Sequence, residues 1–179
     1  TPTTDGERLY VFFGKSGVYA FDFDGNEIWH ASVGSETHGW GSATSPLLYK
    51  NILILNASVE SQALVGLDKA TGKEVWRAEG IKSCWASPIL VEAGGTAAVV
   101  LNVPKRLTAY DPETGKELWY CDGIDDSYLC PSVISHEGVV YVTGARKNQT
   151  IAVRAGGQGD VTQTHVLWRK EIGSNVSSL

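Results

Sequence analysis

Short apolar segments separated by polar turns run the length of the chain. In the best-patterned part, strands of five or six residues are rich in Val, Ile, Leu and Tyr, and the turns between them carry Gly, Asn, Asp and Lys. No segment of ten or more residues has the apolar period of a helix. The pattern predicts an all-β chain, with strands of one unit at 45–49, 52–56, 63–68 and 74–78.

One motif recurs along the chain and organises these strands. It consists of a small residue, a variable residue, Asp, a turn that contains Gly, three further residues and Trp. Two copies align without gaps, at 66–76 and 109–119, and a third at 20–29 is one residue shorter. A fourth copy at 151–168 has lost the Asp and carries a Gly-rich insertion around 156–160 in place of the turn.

A second marker, a small residue followed by Pro, precedes each copy at intervals of 44, 42 and 43 residues. A repeat of about 40–50 residues that holds several short strands is typical of β-propeller blades. We therefore predict one propeller domain over 1–179, whose blades are four-stranded antiparallel sheets. The predicted blades are 1–34, 35–80, 81–123 and 124–173, and 174–179 begins a further blade.

The motif residues have structural roles that elementary chemistry predicts. The Asp carboxylate accepts N–H bonds from the turn that follows it, and the Gly supplies the positive φ of a tight turn. The Trp is expected to be buried between neighbouring blades, where it contributes about 4–5 kcal/mol as an upper limit. The residues in these roles are Asp22, Asp68 and Asp111; Gly25, Gly72 and Gly115; and Trp29, Trp76, Trp119 and Trp168.

The copy at 109–119, AYDPETGKELW, resembles the signature of the pyrroloquinoline-quinone (PQQ) repeat family, Ala-x-Asp-x-x-Thr-Gly-x-x-x-Trp. The resemblance extends over essentially the whole chain. It implies a propeller of seven or eight blades, so the four blades are expected to be a fragment closed by further blades or by a second chain. The resemblance also implies a bacterial protein located in the periplasm or outside the cell.

Composition and charge exclude some classes of function. With a net charge of -5 and no apolar run long enough to span a bilayer, the chain of 179 residues is expected neither to bind nucleic acid nor to cross a membrane. No signal peptide is visible. The odd number of cysteines leaves at least one thiol unpaired within the chain, and the disulfide state of Cys84, Cys121 and Cys130 stays open. No Cys/His spacing fits a zinc site.

The candidate binding surface lies in the crossovers that lead from the last strand of one blade to the first strand of the next. Loops on a rigid scaffold are common binding sites. The crossovers are 34–43, 80–86 and 123–129, and each has an aromatic residue shortly before the Pro. Packing of these side chains within the funnel is the alternative to ligand contact. The candidate residues for ligand or partner contact are His38, Trp40, Trp85, Asp125, Asp126 and Tyr128.

The resemblance does not imply one activity, because the family includes quinoprotein alcohol dehydrogenases as well as propellers without a cofactor. In the enzymes, PQQ lies on the axis with Ca²⁺, beside a disulfide of adjacent cysteines. This chain has no adjacent cysteines, and His38 has no evident nucleophile partner, so we expect no catalytic residue, cofactor or resident metal. We predict a binding or scaffold propeller that holds a protein or small-molecule ligand on one face. The alternative is part of a PQQ-dependent dehydrogenase.

Overall fold

Four antiparallel sheets, each built from strands that follow one another in sequence, make up the computed structural model, which describes residues 1–144, 146 and 148–177. The sheets are the four predicted blades, and the all-β prediction is confirmed. Blade 1 contains β1 (Thr3–Thr4), β2 (Leu9–Phe12), β3 (Val18–Phe21) and β4 (Glu27–Ala31). Blade 2 contains β5 (Leu47–Tyr49), β6 (Ile52–Ala57), β7 (Ala63–Asp68) and β8 (Glu74–Glu79). Blade 3 contains β9 (Ile89–Ala93), β10 (Thr96–Val103), β11 (Arg106–Tyr110) and β12 (Glu117–Asp122).

Blade 4 departs from this regularity. Its four strands are β13 (Ile134–His136), β14 (Val139–Gly144), β15 (Gln149–Arg154) and β17 (Val166–Lys170). The Gly-rich insertion between β15 and β17 forms a two-residue strand, β16 (Gly159–Asp160), and one helical turn, α1 (Thr162–His165). Strand β16 pairs in parallel with β12, so blade 3 gains a fifth strand that the sequence prediction of four-stranded antiparallel blades did not include. Among the described residues, α1 is the longest α-helix, and no helix is long enough to cross a bilayer.

The core lies between the blades, because alternate residues of each central strand face opposite neighbours. In blade 2, Leu53 and Leu55 pack with Trp29 of blade 1. Ile54 and Leu64 point the other way and pack against blade 3, whose far side packs in turn against blade 4. A strand that is buried on both faces explains why β6 and β7 are almost continuously apolar.

The repeated motif joins blade 1 to blade 2 and blade 2 to blade 3 through its Trp. A Cβ on Gly72 would lie 2.6 Å from the Trp29 ring, and a Cβ on Gly115 would lie 2.4 Å from the Trp76 ring. Only Gly permits such a close approach, and both residues have positive φ. The Trp29 indole N–H donates to the Lys69 carbonyl (3.0 Å), and the Trp76 indole donates to the equivalent carbonyl in the next blade (3.1 Å).

The signature Asp residues hold the turns on which these Trp rings lie. Asp68 Oδ1 accepts the backbone N–H of Thr71 (2.9 Å), and Asp111 Oδ1 accepts the N–H groups of Glu113 and Thr114 (2.8 and 2.9 Å). Asp22 accepts two turn N–H groups in the same way. The carboxylate therefore orders the turn, and in blades 2 and 3 the turn presents its Gly to the Trp of the preceding blade.

Trp168 is the exception among the four motif tryptophans. Trp29, Trp76 and Trp119 are 8%, 7% and 2% exposed, whereas Trp168 is 39% exposed. The sequence predicts that a following blade covers Trp168, and the described residues contain four blades with none after blade 4, so the interblade role of Trp168 stays a prediction.

Candidate ligand-binding surface

The crossovers meet at one end of the sheets, where the first strands of successive blades lie side by side. The Ser45 N–H donates to the Ser87 hydroxyl (2.9 Å), and the Ser87 N–H donates to the Ser132 hydroxyl (2.9 Å). These contacts repeat the same interblade bond at the first strand of each blade. The second and third crossovers are joined directly as well, through a backbone bond of 2.7 Å from Trp85 N–H to the Leu129 carbonyl.

Asn56, near the end of β6, holds the second crossover in place. Its side-chain amide donates to the carbonyls of Cys84 (3.1 Å) and Ala86 (2.9 Å), on either side of Trp85. The Ser58 hydroxyl also donates to the Cys84 carbonyl. Because these groups are buried, the bonds are protected from water and the loop has one defined conformation. Trp85 is therefore presented from a rigid loop.

Four of the six predicted surface residues form a single group, the aromatic cluster: His38, Trp40, Trp85 and Tyr128. The Trp40 ring centroid lies 5.3 Å from that of Trp85 and 5.1 Å from that of Tyr128. The His38 ring lies 4.9 Å from Trp85 and 5.3 Å from Trp40. Side chains from three successive crossovers are thus brought together, although up to 90 residues of sequence separate them.

The members of the cluster differ in exposure. Trp85 is 7% exposed and its indole N–H donates to the Gly41 carbonyl (2.7 Å), so it forms the floor. Trp40 is 63% exposed and stands above it, and within the described residues its indole N–H has no hydrogen-bond partner. The cluster therefore consists of a buried, hydrogen-bonded ring, Trp85, in contact with an exposed ring, Trp40.

The fourth blade contributes Arg146, which the sequence analysis did not identify. Its guanidinium lies 2.9 Å from Asp126 Oδ1 and 5.1 Å from the centre of the Tyr128 ring. The bond from Arg146 holds the pKa of Asp126 well below its usual range, so the carboxylate stays charged at neutral pH. The Tyr128 hydroxyl lies 3.2–3.3 Å from the side-chain amide of Asn175. These contacts set the position of Tyr128.

Asp125 has a different basic neighbour from Asp126. Its carboxylate lies 3.9 Å from the Lys105 ammonium at the β10–β11 turn, and both side chains are exposed. Asp125 and Asp126, adjacent in sequence, thus each have a basic neighbour on a different loop.

Two open cavities flank His38 along the first crossover. One, of about 410 Å³, lies on the blade 1 side and is lined by residues that include Phe13, Lys15 and Glu36. The other, of about 220 Å³, lies toward the second crossover and is lined by residues that include Lys82 and Trp85. Glu36, Thr37 and His38 line both cavities, so the two are adjacent, and the second reaches Trp85 of the aromatic cluster.

The described residues contain no group of three or more His, Cys, Asp or Glu side chains placed to hold a metal ion. All three cysteines are free, and burial raises the pKa of the Cys84 thiol to about 12, which keeps it protonated. The absence of a cofactor from the complete ring stays a prediction.

Four repeated blades, the first three joined in sequence by Trp–Gly contacts, with an aromatic surface on the crossovers, define a propeller of the PQQ-repeat class. The family described as outer membrane protein assembly factor BamB matches residues 1–178. The chain therefore belongs to this family, as the sequence motif indicated. A search of curated proteins gives no match.

Solved structures show the same fold at low sequence identity. BamB from Moraxella catarrhalis is 14% identical with a TM-score of 0.65, over 95% of this chain and 47% of that protein. Quinohemoprotein alcohol dehydrogenase from Comamonas testosteroni is 17% identical with a TM-score of 0.67, over 95% and 34%. The computationally designed Ika8 protein is 15% identical with a TM-score of 0.68, over 99% and 51%. The chain thus spans about half or less of the length of these proteins.

Proposed function

We propose that the chain is part of a non-catalytic propeller that binds a protein partner through the aromatic cluster. The observation that carries the proposal is the convergence of three successive crossovers on one exposed ring, Trp40. Exposed aromatic residues on a rigid base are typical binding anchors, because they bury a large area at little cost in conformational entropy. The remaining blades, from the same polypeptide or from a second chain, would complete the ring.

The family supports this proposal and its cellular setting. The family is described as an outer membrane protein assembly factor, so a periplasmic or extracellular bacterial location and protein partners are the expectations we carry over. The match to half of BamB from Moraxella catarrhalis shows the shared fold, and partner binding by the whole ring is part of the proposal.

A peptide library tests the proposal directly. The immobilised chain is exposed to a positional-scanning library of decapeptides, and capture is compared for the wild type, Trp40→Ala and Trp168→Ala. The two variants are matched, because each removes a partly exposed Trp, one inside the cluster and one outside it. We expect Trp40→Ala to abolish selective capture and Trp168→Ala to retain it. Equal capture by both variants would contradict the proposal.

The alternative, part of a PQQ-dependent dehydrogenase, is favoured by the structural likeness to quinohemoprotein alcohol dehydrogenase. It is tested on the full-length protein by adding PQQ and Ca²⁺ and desalting. A retained quinone absorbance together with dye reduction by alcohols or sugars would establish the enzyme and overturn the non-catalytic proposal. Loss of the chromophore on desalting, together with no dye reduction, would support the non-catalytic proposal.

A further inference from the structure

Trp119 differs from the two motif tryptophans that precede it in the use of its indole N–H. The Trp29 and Trp76 N–H groups donate to carbonyls in the signature turn of the next blade, at 3.0 and 3.1 Å. The Trp119 side chain is 2% exposed, yet its N–H donates to no residue of the described chain. Because a buried donor without a partner costs free energy, an acceptor from outside the chain would be stabilising there.

The missing acceptor follows from the loss of the signature turn in blade 4. Arg154 stands where the first three blades have the Asp of the motif, and the Gly-rich insertion, 155–165, connects β15 to β17. A Cβ on Gly156 or Gly159 would lie more than 4 Å from the Trp119 ring, whereas the turn Gly of blades 2 and 3 contacts the Trp of the preceding blade. The place that a turn fills at the first two interfaces is thus open at the third.

An open cavity of about 540 Å³ occupies this place, between blades 3 and 4. It extends from the β9–β10 turn to the start of β12, and its walls are mainly apolar, with side chains of Val91, Ala93, Ala98, Leu118, Trp119 and Ala155. Cavities of this size with apolar walls and a few polar groups are typical of small-molecule sites. The turns that line it lie at the opposite end of the sheets from the crossovers, so the cavity is separate from the aromatic cluster.

Backbone and side-chain donors line the cavity without a partner. The backbone N–H groups of Gly156 and Gly157 make no hydrogen bond within the described residues, and both residues line the cavity. Lys116 lines it as well and forms no ion pair with a described residue. The carboxylate of the wall, Glu117, is already paired with Arg106 at 3.1 Å. With the indole N–H, the cavity therefore offers several free donors and one positive charge.

A carboxylate satisfies this set of groups better than a neutral acceptor. Its two oxygens accept several N–H bonds, and hydrogen bonds to an ionised group are about twice as strong as neutral ones. Consecutive backbone N–H groups can also hold an anion. The remaining polar side chains of the wall, Thr96 and Gln158, can each donate. We propose that the cavity binds a small organic acid, whose carboxylate accepts from Trp119 and whose apolar body lies against Val91 and Ala98.

A fluorinated phenylpropanoate is the probe that tests the proposal. 3-(4-Fluorophenyl)propanoate and its neutral amide are each titrated with the chain at pH 7 and followed by fluorine NMR. The acid is expected to bind about tenfold more tightly than the amide, because only the acid is ionised. Trp119→Phe keeps a ring and loses the donor, so acid binding should weaken about fivefold. Trp76→Phe is the matched control and should leave binding unchanged, because the Trp76 N–H is already bonded to the Pro112 carbonyl.

Lys116→Gln and Lys73→Gln form a second matched pair, because the two lysines are exposed at the same motif position of blades 3 and 2. Lys116→Gln should weaken acid binding about threefold and leave amide binding unchanged, and Lys73→Gln should change neither. Thermal unfolding confirms that each variant folds, and the lysine pair decides the question if Trp119→Phe does not.

Three results would overturn the inference. They are no change in the fluorine signal of the acid, equal binding of acid and amide, and equal losses within either matched pair. None of them bears on the aromatic cluster, which lies at the other end of the sheets and is tested through Trp40, so the proposed function and this inference fail independently.

Discussion

The Tyr–Trp pairs of the first and last blades are nearly identical in geometry and opposite in environment. The Tyr10 and Trp29 rings lie 6.0 Å apart at 41°, and the Tyr141 and Trp168 rings lie 6.1 Å apart at 46°. Trp29 is 8% exposed because blade 2 covers it, whereas Trp168 is 39% exposed. The arrangement within a blade is therefore set by the blade, and the burial of the Trp is set by the next blade.

This difference shows which contacts a repeat motif encodes. In both blades the Trp is held against a Tyr on the same sheet face, which needs only residues of that blade. The indole hydrogen bond and the Gly contact come from the following blade, at Lys69 and Gly72 for Trp29. In a repeat array the free energy of unfolding is approximately the sum of a term for each blade and a term for each interface between neighbouring blades. Variants that remove interface contacts therefore compare blade 1, which has a following blade, with blade 4.

The largest effect is expected for the Trp residues themselves. Trp29→Ala removes a buried side chain and leaves a cavity against blade 2, which should lower the free energy of unfolding by about 3–5 kcal/mol. Trp168→Ala removes a ring that is partly solvated, so a loss of about 1 kcal/mol or less is expected. Urea unfolding followed by circular dichroism measures both. Equal losses at the two positions would show that the intrablade contact, and not the next blade, stabilises the Trp.

A smaller effect is expected for the turn glycines. Gly25 and Gly72 occupy the same motif position with φ of +86° and +72°, but a Cβ on Gly25 would meet nothing within 4 Å. Gly25→Ala should therefore cost only the backbone strain, about 1–2 kcal/mol. Gly72→Ala adds the clash with the Trp29 ring and should cost a further 1–3 kcal/mol or so. Matching losses in urea unfolding would mean that Trp29 moves aside without cost.

Much of this architecture could be predicted from the sequence, because the motif acts over short distances. The Asp68 turn, the positive φ of Gly72 and the strand bounds of blade 2 depend on local residue types. The exposure of Trp168 could not be predicted in the same way, since it depends on whether another blade packs against blade 4. The parallel pairing of β16 was missed because a Gly-rich insertion has no alternating pattern to reveal a strand.

The proximity of the crossover aromatic residues could also be predicted from the repeat, whereas the contact with Arg146 could not. Trp40, Trp85 and Tyr128 lie six, three and three residues before the Pro of the blade that follows, and successive crossovers are close in space. Arg146 occurs once, in a strand–strand loop of blade 4, and nothing in its local sequence distinguishes it from other surface arginines. A unique contact made by two loops is visible only in the folded chain.

A still smaller change in the free energy of unfolding is expected for two Asn residues at equivalent positions of blades 2 and 3. Asn56 and Asn102 are each the last residue but one of a second strand, and both are buried. Asn56 bonds the next crossover, whereas both side-chain polar atoms of Asn102 lack a partner among the described residues. Asn56→Leu should cost about 1–3 kcal/mol, because it leaves the Cys84 and Ala86 carbonyls short of a donor.

Asn102→Leu replaces unsatisfied polar atoms by a side chain of similar size. We expect the free energy of unfolding to stay unchanged or to rise, again measured in urea. A loss as large as that of Asn56→Leu would show that Asn102 is satisfied in solution, for example by a buried water. That result would mean that Asn102 in blade 3 is hydrogen-bonded through its side chain, as Asn56 in blade 2 is.

The smallest effect is expected for the ion pair between Asp126 and Arg146 of blade 4. Arg146 lowers the pKa of Asp126 below the ordinary value of 3.8. Because the folded-state pKa is the lower one, the stabilisation is fully present above about pH 4 and is lost as the pH falls through the folded-state pKa. Since Arg146 is exposed, Asp126→Asn should cost less than about 1 kcal/mol at pH 7.

The adjacent Asp125→Asn is the matched control, because it removes a carboxylate 3.9 Å from an exposed Lys105. Urea unfolding at pH 7 and pH 3 should show a gap between wild type and Asp126→Asn that narrows at the lower pH. The gap for Asp125→Asn should be smaller at both. A gap for Asp126→Asn that widens at pH 3 would mean that the carboxylate is destabilising when charged, contrary to its lowered pKa.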